Sequence, residues 1–158
     1  MLFRSKWLVD EIKIAKERAE KEGLHFSVRL NNTSDISPES FYMEIDGVKK
    51  NILDMFPETT FYDYTKVPRR LELVKKYKNY DLTFSFSGSN YQDCITMLNN
   101  QVRVAVVFKN VPEKFWGRKV INGDLYDMRY RDEKDAIVGL KFKRVRNKLV
   151  DSNKFVIQ

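Results

Sequence analysis

The chain has one cysteine, Cys94, and one histidine, His25, in 158 residues. A lone thiol excludes an intrachain disulfide, and with a single imidazole no zinc site of the usual Cys/His type can be assembled. Glycine and proline are scarce, and neither common glycine-rich phosphate motif occurs. Long apolar runs are missing: "VAVVF" at 104–108 is a fraction of what a membrane span needs. The opening stretch "MLFRSKWLVDEIK" lacks a signal-peptide core. These absences predict a cytoplasmic protein with no membrane, metal or cofactor to hold.

What is present fits a folded chain. Apolar residues make up 42% and aromatics 13%, too much for disorder at this charge. The length predicts one domain spanning 1–158. The formal net charge is +7, and it is concentrated. Residues 66–78 carry six Lys or Arg against Glu72, and 141–158 carry six against Asp151, so the rest of the chain is slightly acidic. Two basic patches suit nucleic acid or an acidic protein face, although a solvated lysine-rich surface reads the same way. A chain this basic is not a DNA mimic.

Leu8, Ile12, Ala15 and Ala19 recur at helical spacing over 4–22, and Gly23 stops the pattern. "LHFSVRL" at 24–30 alternates as a strand. Short helices are predicted at Pro38–Met43 and Lys50–Met55. A strand at 60–65, a helix at 67–77, a strand at 81–87, a helix at 90–100 and a strand at 102–108 follow. Strands separated by helices give βαβ units and a parallel sheet over about 24–108. A more irregular β-rich part follows over about 118–158, with strands at 118–123, 136–142 and 154–158.

The strands alternate instead of running continuously apolar. Phe26, Val28 and Leu30 oppose Ser27 and Arg29; Leu82, Phe84 and Phe86 oppose Thr83, Ser85 and Ser87; Val102, Val104 and Val106 oppose Arg103 and Ala105. This predicts an α/β fold in which mostly parallel strands form an open or partial barrel. Helices cover one face, and a concave, wet inner face carries Arg29, Ser85, Arg103 and Lys141.

Polar clusters recur where these strands end: "NNTSD" after the first, "DYTK" after the second, "SGSN" after the third. Ligands of parallel α/β proteins bind at such ends. Arg29, Asn31, Asp35, Asp63, Lys66, Ser87 and Asn90 are therefore candidates for a pocket taking a small polar or anionic molecule. The alternative is plain: Asn90, Asp35 and Asp63 each precede a predicted helix, where such side chains serve as caps. No catalytic constellation emerges, so the balance is against an enzyme. His25 begins a strand and reads as partly buried and structural; Cys94 reads as a small packed side chain. Asp124, Asp127 and Asp132 lack calcium-loop spacing and read as surface loop. Arg69, Arg70, Lys75 and Lys76 on the helix, with Lys143, Arg144, Arg146 and Lys148 near the end, are the candidate partner-binding cations. With Tyr77 or Tyr80 as stacking platforms they would also serve a nucleic-acid binder, though no recognised motif accompanies them.

The blocks "VRLNNTSDIS", "NILDMFPETTFYDYTKVPRR", "NYDLTFSFSGSN", "VRVAVVFKNVPE", "VINGDLYDMRYRDEKDAIVGLKFK" and "NKFVIQ" resemble, in order, a family of phage and prophage proteins of the gene-product-88 type, over about 25–158. The resemblance implies a partial α/β barrel distantly similar to radical-enzyme barrels, in a bacterial host cell. Longer relatives carry a cysteine-rich N-terminal segment suited to an iron–sulfur cluster; here Cys94 is alone, so those ligands are absent. The expectation is a phage accessory protein that binds and blocks a host protein, with a host-defence nuclease such as a CRISPR effector of the Cas9 type as the first partner class. A small-ligand-binding protein or enzyme using the strand ends, and a nucleic-acid binder using the basic patches, stand as alternatives.

Overall fold

A computed structural model of the chain describes residues 2–31, 35–143 and 155–158. Helix α1 (Leu2–Lys21) leads into β1 (Ser27–Arg29). A short antiparallel hairpin follows, β2 (Met43–Ile45) and β3 (Val48–Lys50), then α2 (Ile52–Met55). Next come β4 (Thr60–Thr65), α3 (Leu71–Lys76), β5 (Tyr80–Ser85), α4 (Tyr91–Asn99) and β6 (Arg103–Phe108). The remaining strands are β7 (Lys114–Phe115), β8 (Arg118–Asn122), β9 (Ile137–Lys141) and β10 (Val156–Ile157). The main sheet runs β1-β4-β5-β6-β9-β8-β7, with β10 beside the end of β6. All its neighbours are parallel except the β7–β8 hairpin. This is the mixed α/β fold with a mostly parallel, unclosed sheet and an irregular β-rich end.

Phe84, Val104, Val106 and Ile137 face one side of the sheet and pack against Cys94, Met97 and Leu98 of α4. Farther along the same side, Phe61, Tyr80 and Leu82 meet Val9 and Ile12 of α1 and Ile52 and Leu53 of α2. Each fully buried Phe, Ile or Leu of this kind stabilises the fold by roughly 1.5–3 kcal/mol. The helix α1 turns its Val9–Ile12 edge inward and leaves Ala15 exposed, a small rotation from the predicted face. No helix among the described residues is long and apolar enough to cross a membrane.

Two local predictions change. The helix expected at Pro38–Met43 is only a 3-10 turn at Pro38–Ser40, and the chain then enters the hairpin. Asp46 and Gly47 carry φ of 52° and 74°, the left-handed pair that closes a two-residue hairpin. Likewise, Pro68 opens a 3-10 turn, Pro68–Arg70, that precedes α3 in place of one continuous helix.

The second face of the sheet is less wet than the alternation implies. Thr83 and Arg103 are buried there, beneath the chain between β8 and β9, whose 3-10 turn Arg129–Arg131 lies against β5. Tyr130 packs tilted against Tyr62, with ring centroids 5.4 Å apart, and donates to Ser27 Oγ at 3.2 Å. Lys141 pairs in register with Phe108 and so belongs to the other face.

Candidate functional site

Three of the predicted pocket residues meet where β1 and β4 end. Asp63 shares its face of β4 with Phe61 and Thr65, which puts it on the side of the sheet covered by helices, and its carboxylate is buried. It accepts from Asn31 N at 2.8 Å, Asn31 Nδ2 at 3.2 Å and the Tyr80 hydroxyl at 3.0 Å. Burial pushes its pKa above the ordinary carboxylate value, opposed by those hydrogen bonds and by the nearby Arg70 guanidinium. Asp35 reaches across from the first strand's loop to the second's: it accepts from Thr65 Oγ1 at 2.8 Å, Lys66 N at 2.7 Å and Arg70 Nη1 at 2.8 Å. Neither aspartate caps a helix of its own.

Arg70 is the centre of this cluster, and its side chain is only 1% exposed. Nη2 donates to the Tyr80 hydroxyl and lies 3.4 Å from Glu39 Oε2 and 3.8 Å from Asp63 Oδ2. Asn51 extends the network. It caps α2 through a capping box and donates from Nδ2 to Glu39 O at 3.0 Å and the Tyr77 hydroxyl at 2.9 Å. One guanidinium thus ties the loop carrying Asp35 and Glu39 to β4, β5 and the turn before α3. Its chemistry is that of a clamp: both guanidinium Nη groups meet acceptors, Glu39 and Asp63 are buried beside it, and Asp35 closes the outer side at 30% exposure, with Nε left without a partner among the described residues. Among the described residues, no group of three or more His, Cys, Asp or Glu is arranged to hold a metal ion.

The other candidates lie elsewhere. Lys66 contributes its backbone N–H to Asp35, while its exposed amine sits 5.8 Å from the Phe155 ring centroid. Asn90 occupies the N-cap position of α4, yet its side chain makes no cap bond; it accepts from Ser87 N at 2.8 Å and donates to Ser85 O at 3.1 Å, closing its own turn. Arg29 points to the second face, where it donates to Asp127 Oδ2 at 2.6 Å and lies over the Tyr64 ring at 4.8 Å. The seven residues therefore do not form one pocket.

Of the described candidate partner-binding cations, Arg70 is the one displaced from the surface. Arg70 is interior, because three carboxylates draw it under the loop. Tyr77 and Tyr80, expected as stacking platforms, are buried and hydrogen-bonded. Lys75 is 3.1 Å from Glu72, Lys76 lies over the Tyr77 ring, and Lys143 is 3.1 Å from Asp124. Arg69 is exposed, and Arg144, Arg146 and Lys148 lie outside the described residues, as do Asn32, Thr33 and Ser34 of "NNTSD".

On the second face, Arg103 bonds the Asp81 carboxylate, whose pKa burial raises against the pull of that guanidinium. Arg129, fully buried beside Asp132, and Tyr130 were not singled out by the sequence. Only the "YDYT" alternation hinted that tyrosines would share Arg29's side. His25 is exposed, with its ring 6.0 Å from Tyr130, where a partly buried position was expected. Cys94 is buried, and burial pushes its thiol up to about 12.

Grooves open elsewhere on the described surface. One, of about 500 Å³, runs between α1 and the hairpin, lined by Lys6, Val9, Lys13, Met43, Ile45 and Met55. Another, of about 460 Å³, opens at the N-terminal edge of β4 and β5.

Compared with known protein families, residues 1–157 match the one described as Gene product 88. No curated protein and no solved structure matches the chain.

Proposed function

The chain belongs to the gene product 88 family, a phage family, and from that premise we propose that it is a phage accessory protein that works by gripping another protein. One observation supports this reading above a ligand pocket: the polar strand ends are spent on the internal clamp, whereas large apolar side chains stay exposed close by in sequence. Trp7 and Ile14 are both 67% exposed on α1, and Phe41, Tyr42, Ile45 and Val48 are exposed on and beside the hairpin. Ile45 lines a groove with Val9, Met43 and Met55, its cross-strand partner Val48 stands beside it on the hairpin, and methionines of this kind adapt to a partner's contour. Apolar surface gathered in one region marks a protein contact.

The partner class proposed first is a host-defence nuclease of the CRISPR effector type, inhibited by occlusion and not by imitation of its DNA. The test mixes the purified chain with purified effector nucleases and follows complex formation by gel filtration and DNA cleavage in parallel. A stoichiometric complex that suppresses cleavage is expected, and Ile45→Glu should weaken it by about tenfold to a hundredfold, the cost of losing one buried aliphatic contact. Cleavage unchanged at saturating protein, with no complex formed, discards the nuclease reading.

A further inference from the structure

We infer that the cleft at the N-terminal edge of the sheet is a binding site for a small phosphorylated aromatic molecule of the nucleoside monophosphate class. The cleft lies between the α3–β5 turn on one side and the chain leading into β9 on the other. Each wall supplies a lysine, Lys78 from the turn and Lys134 from the opposite segment. Both are exposed, and neither has a hydrogen-bond or ion-pair partner among the described residues. The carboxylate lining the cleft, Asp81, is already bound by the buried Arg103. Lys134 lies within the field of Asp81, whose charge the buried Arg103 already offsets, and Lys78 adds a second ammonium group, so the cleft carries a net positive charge that attracts an anion.

The remaining lining narrows the ligand. Asn79 spends its Nδ2 group on the carbonyls of Leu53 and Phe56, both at 3.0 Å, and Tyr77 accepts from Asn51, so these side chains frame the site and are not free to adapt. Tyr130 is fixed from behind by its contact with Tyr62 and its bond to Ser27, and it is half-buried in the cleft wall. The exposed Arg131 guanidinium lies over this ring at 5.9 Å from its centroid, a loose contact that a planar base would displace in stacking there. At about 460 Å³ the cleft falls within the range of small-molecule sites. This site is independent of the protein-binding reading, which concerns α1 and the hairpin.

The probes are adenosine monophosphate, adenosine and inorganic phosphate, titrated into the full chain with amide chemical shifts as the readout. Saturable shifts at Lys78, Tyr130 and Lys134 with the monophosphate are expected, with adenosine weaker by at least about tenfold. Lys78→Glu with Lys134→Glu should abolish monophosphate binding while leaving the unfolding midpoint in place, because both side chains are exposed. Tyr130→Phe should retain binding and Tyr130→Ala should lose it, separating stacking from the bond to Ser27. The inference is overturned by no saturable shift at millimolar monophosphate, by equal affinity for adenosine, or by wild-type binding in the double lysine variant.

Discussion

Replacing Arg70 by methionine keeps most of the length of the side chain and removes its charge. Asp35, Glu39 and Asp63 would then face one another with no cation among them, and the Asp63 and Glu39 side chains are only 0% and 10% exposed. Breaking a buried ion pair from one side costs about 3–5 kcal/mol, because the other charge stays buried without compensation. Asp63 keeps its donors from Asn31 and Tyr80, and Asp35 is 30% exposed, so the lower end, about 3 kcal/mol, is expected. That is a large share of the roughly 5–15 kcal/mol that holds a domain of this size together.

The loss should also depend on pH. The folded-state pKa of Asp63 is already raised by burial, so its protonated form is favoured by folding: its stabilising effect is full below the unfolded carboxylate value and fades as pH rises through the folded one. Removing Arg70 raises that pKa further, which makes the variant's deficit largest at neutral pH and smaller in acid. Urea unfolding followed by circular dichroism from acid to neutral pH measures this directly. Adding Asp63→Asn to the variant should recover part of the loss. A variant within about 0.5 kcal/mol of wild type at pH 7, the range of ordinary surface substitutions, would refute the clamp. So would a deficit that does not shrink in acid.

Gly139→Ala places a methyl group 2.6 Å from both Val111 Cγ1 and Val120 Cγ1, and overpacking of this kind should cost about 1–3 kcal/mol in urea unfolding. Cys94, buried and with its thiol pushed up to about 12, should resist thiol-specific labelling at neutral pH in the native protein and react at once in denaturant.

The strand at Thr60–Thr65 appears where it is predicted, and apart from the helix expected at Pro38–Met43 and the 3-10 turn at Pro68, the strands and helices through 108 differ only at their ends. These segments are legible because their residues set the local period that fits one buried face. The hairpin Met43–Lys50 has an equally local signal in Asp46-Gly47, the pair whose positive φ closes its turn. The candidate site was legible in part. Asn31, Asp35 and Asp63 do converge, but the cation they converge on, Arg70, reads in sequence as one more basic residue on a helix face.

The sequence by itself determined the parallel α/β order, the face of the sheet that meets the helices, and the inability to build a disulfide or a Cys/His zinc site. Those properties depend on side-chain period and residue inventory, which a single chain displays along its length. Only the tertiary structure decided which charges are interior. Arg70 lies 35 residues from Asp35, and Arg103 lies 22 from Asp81. Pairing them required the loop and strands to fold over one another. Whether a charge faces water or a counter-charge is set by what the rest of the chain places against it, and no local pattern records that.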